Sequence, residues 1–125
     1  MNVPSDLKYT KDHEWAKIEG DTIIVGITDY AQSELGDVVY VELPDEGTEI
    51  SKNETFGSIE AVKAVADLLS PVSGEITEVN EKITDEPEKV NEDAYGEGWM
   101  VKIKMSDSGE LSDLMDASAY KDHIS

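Results

Sequence analysis

The side chains of this sequence able to do chemistry are amines and carboxylates. Cysteine is absent and there are two histidines, His13 and His123, so thiolate nucleophiles, disulfides and thiolate metal sites are excluded. One amine stands apart. Lys63 lies in Gly57-Ser-Ile-Glu-Ala-Val-Lys-Ala-Val-Ala-Asp-Leu-Leu-Ser-Pro-Val-Ser-Gly74, where a turn is expected between two strand-like runs. The centre of that segment lacks the Gly, Pro, Asn or Asp that turns usually recruit. Ala61, Ala64 and Ala66 leave the lysine stem uncrowded, and Glu60 and Asp67 bracket it three and four positions away. An ε-amine on a flexible four-carbon stem, open to another protein, has the chemistry to accept an acyl group. From position alone the plainer account is that Lys63 is one of ten solubilising lysines snorkelling from a strand end.

The other candidates are weaker. His13 and Glu14 could form an acid–base pair, but neighbours on a strand point to opposite faces. Two histidines without a cysteine give little basis for a metal site. No nucleophile elbow or Gly-rich phosphate loop occurs, and Gly96-Glu97-Gly98 reads as a turn before the Trp99 strand.

The elements that must position Lys63 are mostly short strands. HEWAKIEG and TIIVGIT flank Glu19-Gly20-Asp21 as a hairpin. TDYAQSELG, with Thr28 as N-cap and Gly36 just past the end, gives one short helix. VVYVEL stops at Pro44-Asp45-Glu46-Gly47, TFGSIEAV and AVADLLS lie on either side of Lys63, and EITEVN follows Ser73-Gly74. Glu81 to Gly98 reads as a polar loop, and WMVKIKM as a strand. In the tail, Leu111, Leu114, Met115 and Tyr120 share one helical face, which predicts a C-terminal helix over 109–123 packed on the sheets. GDVVYVE at Gly36 to Glu42 is echoed by GEITEVN at Gly74 to Asn80, 38 residues on (74 − 36), a faint sign of two similar halves with Lys63 near their junction. Spaced short strands with turn signals predict a mainly β sandwich or flattened barrel, with hairpin tips exposed at its ends.

Length and charge bound the partners. A chain of 125 residues is one domain, 1–125, able to bury a core without staples. Twenty-nine acidic residues against ten lysines and no arginine give a net charge of −19. A field of that sign repels phosphate backbones and anionic membranes, which argues against both as partners; it serves solubility in the plainer account and steering toward basic docking surfaces in the sharper one. No apolar run approaches the roughly 18 residues of a membrane span, and no signal or transit peptide is visible in MNVPSDLKYTKDHEW. A cytoplasmic protein is the simplest expectation, and a mature organellar form fits equally.

The segment around Lys63 resembles the attachment segment of the lipoyl-bearing H proteins of the glycine cleavage system. In that family a glutamate lies three residues before the modified lysine, alanine follows it, and Ser-Pro and Ser-Gly-Glu steps come after. Here these are Glu60, Lys63, Ala64, Ser70-Pro71 and Ser73-Gly74-Glu75. The family usually shows Glu-Ser-Val-Lys-Ala, and Ala61 departs from it. HEW (His13 to Trp15), GITDYAQ, LGDVVYVELP, EVN, VNEDAYGEGWM and the terminal helix also look like family signatures and occur in family order.

The resemblance implies a fold of two antiparallel sheets in a flattened barrel-sandwich of the lipoyl/biotinyl-carrier type, with a short internal helix and a C-terminal helix. It implies a non-catalytic carrier, a monomer with lipoate on Lys63. Its partners would be a pyridoxal-phosphate glycine decarboxylase, an aminomethyltransferase, a dihydrolipoyl dehydrogenase and a lipoate-attaching enzyme. It places Glu14 and Asp67 in a cleft that shelters the loaded arm, while relatives vary at the position of Glu34. Met-Lys-Met flanks, expected of a biotin domain, are absent, since Val62 and Ala64 flank Lys63. A 2-oxoacid dehydrogenase lipoyl domain favours Asp-Lys-Ala. A relative that is never acylated, or relays lipoate, stays open on sequence alone.

Overall fold

The computed structural model describes residues 3–125. Strands β1 (Lys8–Tyr9), β2 (Glu14–Glu19) and β3 (Thr22–Ile27) lead into helix α1 (Asp29–Leu35). Then come β4 (Val38–Glu42), β5 (Glu49–Ile50), β6 (Thr55–Ala61), β7 (Val65–Leu69) and β8 (Gly74–Val79). Two single-turn helices, α2 (Lys82–Asp85) and α3 (Lys89–Glu92), precede β9 (Val101–Met105). The described strands form a six-stranded sheet, β1-β2-β3-β9-β8-β5, and a three-stranded one, β4-β6-β7, with antiparallel pairing in both. This is the mainly β, two-sheet architecture expected from the sequence.

Between the sheets, Ile23 of β3 pairs with Ile103 of β9, which pairs in turn with Ile76 of β8. All three are fully buried and share one core with Val41, Ile59 and Leu68 of the smaller sheet. Burial of each such side chain stabilises the fold by about 1.5–3 kcal/mol, which makes this sandwich the rigid base for its hairpin tips. The sequence echo corresponds to two antiparallel pairs, β4–β6 and β8–β9, in different sheets.

Two stretches differ from expectation. Glu81 to Gly98 is not plain loop: α2 and α3 each drive one apolar side chain, Ile83 and Val90, into the main core. A four-residue turn shows no periodicity over the window by which helices are recognised. The predicted helix over 109–123 is split. A 3₁₀ turn (Ser108–Asp113) is capped by Asp107, and helix α4 (Ala117–Ile124) by Asp116. Between them Met115 pairs with Tyr9, each backbone N–H donating to the other's carbonyl at 2.8 Å. Leu111 and Leu114 pack on the main core, whereas Tyr120 joins Tyr9 and Trp15 in a second cluster. One straight helix does not serve both. The Tyr9 and Tyr120 rings stack with centroids 4.6 Å apart.

Candidate functional site

Lys63 occupies the tip of the β6–β7 hairpin. Pairing runs from Thr55 opposite Leu69 to Glu60 opposite Val65, and Ala61 N donates to Ala64 O at 2.9 Å to close the connection. The tip is held chiefly from outside. Val62 N donates to Asp37 O at 3.0 Å and Lys63 N to Leu35 O at 3.2 Å, both acceptors lying at the junction of α1 and β4. These bonds replace the turn residues missing from the sequence. Conformation at Lys63 is fixed by a neighbouring segment rather than by local propensity.

The stem of Lys63 runs over Gly36. A Cβ placed on Gly36 would lie 3.3 Å from Lys63 Cγ and 3.4 Å from Cδ. Gly36, at φ 79° and ψ −161°, adopts a conformation essentially reserved for glycine. Helix α1 therefore ends in the residue that both turns the chain and leaves room for the lysine. Lys63 is exposed, and no ion pair among the described residues involves it.

Beside the tip a cleft of about 270 Å³ opens between α1 and the edges of β2 and β7. His13, Glu14, Tyr30, Glu34, Leu35 and Asp67 line it, with Ile27, Ile59 and Leu68 among its apolar walls. Glu14 and Asp67, far apart in sequence, thus meet at one cavity. Leu35 both borders the cleft and accepts the Lys63 backbone N–H, so the last turn of α1 is common to both features. Asp67 is four residues on from Lys63, with Ala64 at the turn and the rest in β7, so the chain between them spans at most about 13 Å.

Glu14 is only 2 % exposed. Its Oε1 accepts from Thr10 Oγ1 at 2.6 Å and its Oε2 from Leu69 N at 3.4 Å. Burial raises the carboxyl from the ordinary range to about 7, with those bonds opposing the shift. The site holds an acid reluctant to ionise alone, and an arriving cation relieves that cost. Asp67 differs. It is exposed, pairs across the sheet with Ser58, and borders both the cleft and a shallower hollow beside Glu42 and Gly57.

The sequence reading set His13 and Glu14 on opposite faces, yet both line the cleft. His13 precedes β2 at φ 72°, which breaks the strand alternation. Its Nδ1 and Thr28 Oγ1 both hydrogen-bond to the Tyr120 hydroxyl, at 2.9 and 2.7 Å. Thr28 also caps α1. The C-terminal helix therefore braces the cleft wall. Burial, then the neighbouring His123, lowers the His13 pKa from its ordinary value. No short-range signal in the sequence marks this brace, which joins segments 92 and 107 residues apart.

Glu14 makes stability depend on pH with a defined sign. Its folded-state value lies above the unfolded one, so protonation stabilises the fold fully below about pH 4.5, and the contribution is lost as pH rises to about 7. At 1.36 kcal/mol per unit the swing is roughly 3 kcal/mol. Relative to the parent chain, Glu14→Gln is expected to gain roughly that much stability over this window, read by urea unfolding at a series of pH values. Superimposable pH profiles would mean that Glu14 ionises as an ordinary surface acid.

Comparison with known proteins bears on the whole chain. The sequence profile of the family described as Glycine cleavage H-protein matches residues 7–125. A glycine cleavage system H protein of Chlorobium phaeovibrioides is 60% identical over 126 residues, covering 99% of this chain and 98% of that protein. One from Staphylococcus carnosus is 54% identical over 124 residues, with coverage of 99% and 98%. The crystal structure of a glycine cleavage system H protein from Mycobacterium marinum is similar to this chain with a TM-score of 0.90 and 41% identity, covering 98% of each chain.

Proposed function

The chain belongs to the glycine cleavage H-protein family, and from that premise we propose that it is the non-catalytic carrier of the glycine cleavage system, with lipoate in amide linkage to Lys63 Nζ. The observation that carries this reading is the exposed Lys63 at a tip fixed by the Leu35 and Asp37 carbonyls, directly beside the cleft. The residues suit the group. Ala64 follows the lysine and Ala61 lies two residues before it, Gly36 leaves its stem free, and no ion pair among the described residues competes for the amine. Acylation removes the lysine charge, so the neighbouring acids hold no lasting partner there. When bound, lipoate supplies a reducible disulfide at the end of a tether, and the organic chemistry is the cofactor's.

The chain's own contribution is positioning and shelter. The sandwich fixes the base of the tether, and Leu35 leads from that base to the cleft wall. Lysine stem and acyl chain together reach roughly 12–15 Å, enough to cover the at most about 13 Å of chain between Lys63 and Asp67. With the arm in place, Glu14 would ionise against a cationic group entering the cleft and Asp67 would add charge at the rim, while Ile27, Ile59 and Leu68 would wall it with apolar surface. The partners in this reading are a pyridoxal-phosphate glycine decarboxylase, a tetrahydrofolate-dependent aminomethyltransferase, a flavin-dependent dihydrolipoyl dehydrogenase and a lipoate-attaching enzyme. A monomer of one domain, working in the cytoplasm, fits visits to several active sites.

The surface around the tip supports such visits. Pairing places Tyr40, Glu60 and Val65 in one row across the smaller sheet. A β-bulge between Val38 and Tyr40 leaves both Val39 and Tyr40 exposed. With Val62 at 71% and Val65 at 70% exposure, four apolar side chains surround the lysine base. Exposed Asp37, Glu42 and Glu60 lie next to them and suit basic docking faces. Val65→Asp is expected to cost about 1 kcal/mol of stability, since it sets a carboxylate opposite Glu60, yet at a temperature where both chains are folded to raise the KM of the acting enzymes for this chain about tenfold. An unchanged KM for every one of them would remove this surface from the account.

Reconstitution tests the carrier reading. The lipoylated chain is incubated with methylene-labelled glycine and glycine decarboxylase, repurified, and given to aminomethyltransferase with tetrahydrofolate. The repurified chain is expected to carry label and to release it only in the second step. Label that never leaves the decarboxylase would contradict the reading.

A further inference from the structure

Asn91 lies in α3, between the buried Val90 and Glu92. Its side-chain oxygen accepts from Val38 N at 2.8 Å. Its amide nitrogen donates to Gly36 O at 2.9 Å and to Gln32 Oε1 at 3.0 Å. One acceptor and both amide hydrogens are thereby engaged. The partners belong to the last turn of α1, its C-cap and the first residue of β4.

These bonds interleave with those that hold the lysine tip. Along the backbone, Leu35 O accepts from Lys63 N, Gly36 O from Asn91, and Asp37 O from Val62 N, while Val38 N donates to Asn91. The two sets alternate along four consecutive residues: Asn91 holds Gly36 and Val38, and Leu35 and Asp37 hold the tip. Helix α3 is itself fixed, because Val90 sits in the main core and Ala94 O, just beyond the helix, accepts from Trp15 Nε1 at 2.9 Å.

We propose that Asn91 is a positioning residue for Lys63. It locks the Gly36–Val38 backbone, whose neighbouring carbonyls anchor the Val62 and Lys63 amides, and so fixes the base from which the ε-amine is presented. The link to function rests on the reading of Lys63 as the attachment point. Asparagine suits the task because it both donates and accepts. Aspartate of the same shape keeps the acceptor for Val38 N and loses both donors.

The test is amide hydrogen exchange on the unmodified chain, comparing the parent with Asn91→Ala and Asn91→Asp. In the alanine variant the Val62 and Lys63 amides are expected to exchange about tenfold faster or more, while Ile23 and Val25 in the central strand β3 keep their parental rates. Asn91→Asp sets a carboxylate oxygen against the Gly36 carbonyl and Gln32 Oε1, so it is expected to shift the tip amides in the same direction by at least as much, and as the isosteric change it decides the matter if the alanine variant does not fold. Tip amides at parental rates, or core amides accelerated as much as the tip, would overturn the proposal. In the functional arm, Asn91→Asp is expected to raise the KM of a lipoate-attaching enzyme for the chain several-fold and to leave kcat little changed. An unchanged KM would overturn the link to the lysine. A parent chain that accepts no lipoate would overturn the reading of Lys63 instead, and the exchange result still decides the clamp on its own.

Discussion

Replacing Lys63 by arginine is expected to abolish lipoate incorporation and, with it, all glycine cleavage that depends on this chain. Arginine keeps the charge and an apolar stem, so a loss is not an electrostatic effect. What it lacks is an amine able to form the amide, since the guanidinium stays protonated throughout the usable pH range. Lys63 is exposed and in no ion pair among the described residues, so stability should change by less than about 0.5 kcal/mol. Incorporation is followed by mass spectrometry and cleavage by release of carbon dioxide from glycine. A folded Lys63→Arg chain that still takes up lipoate would move the attachment to one of the nine other lysines (10 − 1).

The second large effect concerns Gly36. At φ 79° and ψ −161° an alanine carries backbone strain of about 1–3 kcal/mol. Its methyl would also press on the Lys63 stem, 3.3 Å from Cγ. The stem is flexible and gives way by a few tenths of an ångström, so strain is the larger cost. To relieve it the backbone must rotate, which disturbs the Leu35 and Asp37 carbonyls that hold the tip. Gly36→Ala is therefore expected to lower unfolding stability by about 1–3 kcal/mol. It is further expected to slow lipoate attachment beyond the loss of folded chain, at a temperature where both proteins are folded. Parental values for both quantities would show that the conformation at this position is not required.

These expectations depend on features the sequence revealed unevenly. Strands with clear turn residues were legible, such as β2 and β3 around Gly20, which stands at φ 67°. Helix α1 was also legible, because its capping signals are local: Thr28 Oγ1 accepts from Ala31 N as an N-cap should, and Gly36 ends the helix. Lys63 stood out by the absence of turn residues, and the structure accounts for that absence through Leu35 and Asp37.

What stayed hidden is long-range. The cleft assembles from β2, α1 and β7, and periodicity carries no information on which segments meet. His13 joins Glu14 there through a positive φ that its residue type does not announce. The bulge at Val39 turns two consecutive residues, Val39 and Tyr40, to solvent, which no alternation in VVYVE announces. Asn91 carries no local signal that sets it apart in the Glu81–Gly98 stretch, and its partners lie 53 to 59 residues away. The acid at Glu14 and the amine at Lys63 could be named from the segment resemblance, but the braces that set them relative to each other could not.

The most direct measurement is the intact mass of the chain purified from its native host, followed by peptide mapping of the 57–74 segment. The account predicts a single lipoyl adduct located on Lys63. An unmodified amine in cells active in glycine cleavage, or an adduct on a different lysine, would contradict it.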